Sequence, residues 1–140
     1  MKQNPLRVSF HKPEHGWLTV TINTVNSTLE FEVSDVPNNP LNDLGSALAI
    51  LLQSKKGEQK TDWHLEPEYY HLIISREGEE FSLRIEDGRN EMLTFSGHKS
   101  SVIYPFAKEL IRFDSAGYSE PHWPTLDMNA ISKLKELIPS

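Results

Sequence analysis

The chain has 140 residues, with 20 Asp and Glu against 14 Lys and Arg and no cysteine. That length suits one domain, residues 1–140, with a core large enough to need no metal or disulfide staple, and the missing cysteine excludes thiol catalysis, thiolate zinc sites and disulfides. A formal charge of −6 argues against a nucleic-acid partner, because reading a phosphate backbone needs clustered Lys and Arg to displace counterions.

Strands come first. Leu6, Val8 and Phe10 alternate, as do Leu18, Val20 and Ile22, and then Leu29, Phe31 and Val33. Turn-rich residues separate the three runs, which predicts a meander whose other face carries Thr19, Thr21, Glu30 and Glu32 toward water. The period then lengthens. Leu41, Leu44, Leu48, Leu51 and Leu52 recur at helical spacing, with Asn39 placed to cap and Pro40 suited to the first helical position. Gly45 is expected to let this helix approach the sheet, and the basic residues in Ser54–Gly57 to sit at its negative pole. A strand is expected over Asp62–Leu65.

Residues 63–87, WHLEPEYYHLIISREGEEFSLRIED, read as an acidic β-hairpin. Tyr70, Leu72 and Ile74 alternate on one arm and Phe81, Leu83 and Ile85 on the other, with Glu77-Gly78 at the turn. Glu58 to Glu91 contains ten carboxylates against Lys60, Arg76, Arg84 and Arg89, so this segment carries the whole charge imbalance. Beyond it, Asp87-Gly88-Arg89-Asn90 predicts a turn and Met92–Ser96 a strand. Ile103, Phe106, Ala107, Leu110 and Ile111 trace a helix with Pro105 in its first turn. Asp114–Pro124 reads as an ordered surface loop, and Asp127 as the cap of a last helix with Met128, Ile131, Leu134 and Ile138 inward. The fold class expected is α+β: about six to seven strands in a mainly antiparallel sheet, meander then helix then meander, against two to three helices.

The residues that carry chemistry in other proteins are sparse here. His11 and His15 are four apart, but Pro13 between them removes the helical scaffold that such metal-ligand spacing needs. His64 and His71 fall in neighbouring strands within reach of Asp62, which leaves an enzyme or small-ligand pocket around His64, His71 and Glu66 as one alternative. Glu66-Pro67-Glu68 invites a paired-carboxylate reading, yet no nucleophile accompanies it. No serine stands in a nucleophile elbow, and Gly97-His98-Lys99-Ser100 lacks the glycine pattern of a phosphate loop. No catalytic residue, metal ligand or cofactor is assigned, and the chain is not read as an enzyme.

The aromatics point to binding. Tyr70 shares the core face with Leu72 and Ile74, so Tyr69 should project from the opposite face with His71 and Ile73, beside Glu80, Ser82 and Arg84 of the second arm. Tyr118 and Trp123, in a predicted loop, are weighed evenly between core and surface contact. An acidic face with an aromatic anchor can steer a basic protein into place and hold it. The partner-binding residues expected are Glu66, Glu68, Tyr69, Glu77, Glu79, Glu80 and Glu86.

The layout of VSDVPNNPLNDLGSALAILL followed by WHLEPEYYHLIISREGEEFSLRI resembles the small bacterial α+β proteins found among polymorphic-toxin immunity proteins, over roughly residues 17 to 113. Trp63, Glu66 and Pro67 fit that pattern without bringing a binding role across. The resemblance implies a cytoplasmic protein that neutralises a partner toxin, commonly by covering a basic cleft. The opening MKQNPLRVSFHKP shows no signal-peptide pattern, and no segment reaches the roughly 20 apolar residues of a membrane span; a soluble chain without a membrane partner is expected. A structural or accessory homo-oligomer formed through a sheet edge is the third alternative.

Overall fold

The computed structural model describes residues 5–139. Seven strands and four helices follow one another as β1 (Arg7–Phe10), β2 (Trp17–Asn23), β3 (Thr28–Ser34), α1 (Pro40–Leu52), β4 (Lys56–His64), β5 (Tyr69–Glu77), β6 (Glu80–Glu86), β7 (Glu91–Gly97), α2 (Lys99–Val102), α3 (Tyr104–Ser115) and α4 (Met128–Leu137). The fold is α+β, with two antiparallel sheets in simple meander order, β1-β2-β3 and β4-β5-β6-β7.

Alternation decides which sheet faces are buried. In β2, Leu18, Val20 and Ile22 are buried and the residues between them are not; in β6 the same holds for Phe81, Leu83 and Ile85. The hairpin joining β5 to β6 closes through Gly78 and Glu79, with Glu77 opposite Glu80. Gly78 has φ +61°, the left-handed backbone that a type II′ turn requires at its first central residue. The next turn is fixed by Asp87, whose carboxylate accepts the backbone N–H groups of Arg89 at 2.9 Å and Asn90 at 2.8 Å. The hydrogen bond from Asn90, and then that from Arg89, holds the Asp87 carboxyl below its ordinary value.

The caps behave as expected. Asn39 accepts from the Leu41 N–H, Asp127 accepts from Asn129, and Pro105 sits in the first turn of α3. The helices form a layer against the inner faces of both sheets: α1 lies on β4, α3 on β1, and α2 on β6 and β7. One continuous apolar core runs from Leu18, Val20 and Ile22 through Leu44 and Leu48 to Leu72, Leu83, Phe106 and Leu134. The sheets adjoin where β3 meets β4. There the Phe31 ring stands edge-on to Trp63 at 5.9 Å and to Tyr70 at 5.1 Å.

Several expectations need correction. The strand expected over Asp62–Leu65 begins at Lys56; Gly57, Gln59 and Thr61 alternate with charged residues, so only Trp63 displays the apolar periodicity that marks a strand. The α1 helix ends at Leu52 with Gln53 as its cap and no basic residue in its last turn. Lys56 has already entered β4. Gly45 brings α1 close to the other helices rather than to a sheet, since a Cβ there would meet the Ala130 Cβ at 3.4 Å and Leu110 and Leu134 just beyond. Met128 is exposed, because it precedes the inward stripe of Ile131, Leu134 and Ile138. Within the loop after α3, Trp123 is fully buried and Leu126 nearly so, so that segment is anchored in the core instead of lying over it. Tyr118 also packs against the core.

Candidate partner-binding face

The outer face of the four-stranded sheet is built by the strand residues that alternate with the core. No helix covers it. Asp62, His71, Glu86 and Glu91 stand in register across all four strands, and His64 and Tyr69 form the next row toward the β4–β5 turn. His71 Nδ1 lies 2.7 Å from Asp62 Oδ1, which fixes the imidazole. The Tyr69 ring is 5.1 Å from that of His71 and 6.2 Å from that of His64. Tyr69 is 46% exposed, whereas Ile73, two residues along the same face, is only 6% exposed. Lys60 and Arg84 are the in-register neighbours of Ile73, and methylene stems of this kind lie along apolar surface while their charged heads stay wet. Arg84 Nε reaches Glu86 Oε2 at 3.2 Å.

The expected stripe of Tyr69, His71 and Ile73, opposite Tyr70 and the core, is therefore present. The seven expected contact residues do not form one patch. Glu66 and Glu68 occupy the tight β4–β5 turn rather than a strand face; Leu65 N–H donates to the Glu68 carbonyl at 2.8 Å across it, and Glu66 has φ +56°. Both are exposed, with no ion pair among the described residues. They lie at the Tyr69 end with Glu86. Glu77, Glu79 and Glu80 lie at the other end, six residues along β5 from the His71–Glu86 row and so about 20 Å from it at the rise of an extended strand.

Carboxylates without a cation in ion-pair distance occur at both ends. Glu77 stands in register with Lys56 of β4, but of Glu77, Glu79 and Glu80 it is Glu79 that has an ion-pair contact among the described residues, 4.0 Å from Arg76 and 3.7 Å from His98. At the Tyr69 end, Arg84 reaches Glu86 and His71 reaches Asp62, while Glu66, Glu68 and Glu91 have no cation within ion-pair distance among the described residues. The linear sequence reports ten acids in one segment. Hairpin geometry sends them to opposite ends of a sheet.

The other histidines serve locally. His11 Nε2 lies 2.9 Å from Thr21 Oγ1, and His98 caps α2 through Ser100. The His15 and His122 rings meet at a tilt of 56° with centroids 5.0 Å apart, a pairing that no local pattern announced because 106 residues intervene. No three His, Asp or Glu side chains gather as metal ligands would among the described residues. Among the hollows that mark the surface of the described residues, five are lined by other residues than His64, His71 and Glu66. No helix of the described residues is long and apolar enough to cross a membrane. No protein-family model, curated protein or solved structure matches the chain.

Proposed function

We propose that this chain is a protein-binding module of the immunity type, and that it docks a basic partner protein, a toxin in that reading, on the Tyr69 end of the outer sheet face. The observation that carries the reading is a half-exposed tyrosine on an uncovered sheet, beside the Asp62–His71–Glu86 row and the uncompensated Glu66 and Glu68. Large rigid aromatics of this kind concentrate binding energy, and the surrounding carboxylates speed the encounter with a positively charged surface. Glu77, Glu79 and Glu80, at the far end of the sheet beside Lys56 and Arg76, contribute less. The role is that of a cytoplasmic neutralising partner without catalytic chemistry of its own.

The test is capture with the full chain as bait from its native host, followed by mass spectrometry and stopped-flow association. One stoichiometric basic protein is expected, with an association rate that falls steeply as salt rises. Tyr69→Ala should weaken the complex at least tenfold through faster dissociation, and Glu86→Lys should slow association, while Glu79→Lys leaves both rates within about twofold. Full affinity in a Tyr69→Ala, Glu86→Lys double variant would overturn the assignment.

A further inference from the structure

The four sheet edges are treated differently. At the β1 edge, Leu6 N–H donates to the Ser101 carbonyl at 3.0 Å, Phe10 N–H donates to Glu109 Oε2 at 2.6 Å, and Arg112 Nη2 donates to the Phe10 carbonyl at 2.7 Å. Side chains of α3 thus satisfy groups that a strand partner would otherwise take. β3 and β4 lie against each other, and β4 is further covered by α1 and carries Lys56, Glu58, Lys60 and Asp62 at alternate positions, the charged pattern that discourages pairing. β7 is less protected, although α2 packs against it as well as against β6. It pairs only with β6, contains no Lys, Arg or Pro, and its residues 91–95 make no hydrogen bond on the side away from β6 among the described residues.

Beside that edge lies an open hollow of about 500 Å³, walled by residues 91–95 on one side and by Thr24–Ser27, the β2–β3 turn, on the other. Val25 and Met92, exposed by 72% and 38%, line it. The register slips at this point: Ile85 faces Leu93 and Glu86 faces Glu91, so Met92 has no cross-strand partner. Bulges of this kind re-aim side chains at sheet edges. Glu91 meets a like charge, Glu86, whose cation Arg84 is already engaged.

We infer that the β7 edge is a strand-addition site for an extended segment of a protein partner that carries apolar residues at alternate positions and a Lys or Arg against Glu91. The main chain of β7 supplies the ladder, Val25 and Met92 supply the apolar wall, and Glu91 sets the end that takes the cation. A single extended chain fits better than a second copy of this sheet, because the Thr24–Ser27 turn stands across the hollow from the edge. The inference does not depend on docking at Tyr69.

A synthetic nine-residue peptide of alternating valine and threonine with a lysine at each end is the probe, with an analogue N-methylated at alternate residues as its control. Titration into the ¹⁵N-labelled full chain should slow amide exchange and shift resonances within residues 91–95, and the N-methylated analogue should bind at least tenfold more weakly. Glu91→Lys should weaken binding about fivefold, the effect of one exposed charge pair, and Val25→Lys should weaken it further, whereas Tyr69→Ala leaves it unchanged. Absence of binding, equal binding of the two peptides, or shifts confined to another edge would overturn the inference. Concentration-dependent protection of residues 91–95 without peptide would overturn it too, in favour of a second copy as the occupant.

Discussion

Arg76 neutralises the carbonyl end of α1, the task expected of the lysines that follow the helix. Its Nη1 donates to the carbonyls of Leu51 at 2.8 Å and Leu52 at 3.3 Å, its Nε donates to Gly78 at 2.8 Å, and its guanidinium carbon lies 4.8 Å from the Phe81 ring centroid. The planar fork holds separate nitrogens toward the two sites in fixed directions, whereas an ammonium offers a single nitrogen. Arg76→Met should lower the unfolding free energy by about 2 kcal/mol, the value of hydrogen bonds to a charged group, and Arg76→Lys should restore less than half of it in urea titrations. Asp87 supplies a pH-dependent counterpart. Because two N–H groups favour its carboxylate, the folded form releases its proton at lower pH than the unfolded chain does. The stabilisation is complete above the unfolded-state value near pH 4 and disappears as pH falls through the lowered folded value. The urea midpoint of Asp87→Ala should accordingly lie below that of the parent at neutral pH and converge on it in acid. A gap that persists undiminished in acid would show that the carboxylate charge is not the cause.

At the scale of elements, α1 depends on how close it comes to its neighbours. Gly45 leaves 3.4 Å between an added Cβ and the Cβ of Ala130 on α4. Gly45→Leu should cost about 1–3 kcal/mol through overpacking, while Gly45→Ala should stay within about 1 kcal/mol of the parent, the helix-propensity gain offsetting the tight contact. Thermal denaturation of the two variants separates a packing limit from a backbone requirement. The β1 edge illustrates another closure: Glu109 receives the Phe10 N–H and grips Arg112 at 2.6 Å. The hydrogen bonds that Arg112 donates to Glu109 hold the guanidinium in place and raise its pKa above the ordinary value. Neither Glu109 nor Arg112 bears a motif, since each acts through residues about a hundred positions distant.

At the scale of the molecule, two sheets share one core, and Phe31 is the side chain that joins them. Its ring touches Trp63 and Tyr70 from the neighbouring sheet, and Trp63 Nε1 is itself satisfied by Thr61 Oγ1 at 2.8 Å. Phe31→Ala should cost about 3–5 kcal/mol, the usual penalty for emptying a buried aromatic site. The loss of stability should appear in both sheets together, as coincident far-UV and near-UV unfolding transitions. Separate transitions would mean that the sheets unfold independently despite the continuous apolar cluster.

Local order was legible wherever one face of an element is apolar and the other is not. The period-two runs of β2, β5 and β6, the period-3.6 run of α1, the Asn39 and Asp127 caps and the separation of Tyr69 from Tyr70 all follow from neighbouring residues, because backbone geometry alone sends their side chains to known faces. The start of β4 was hidden because its inward residues are polar or glycine, and the burial of Trp123 because a loop has no periodicity to read. The candidate site lay between these cases. Its residues were visible in the hairpin, but their division between opposite ends of the sheet was not. Which charges meet, which edges are covered and where β7 lies open are set by contacts between residues far apart in the chain, and only the packed tertiary structure brings those contacts into being.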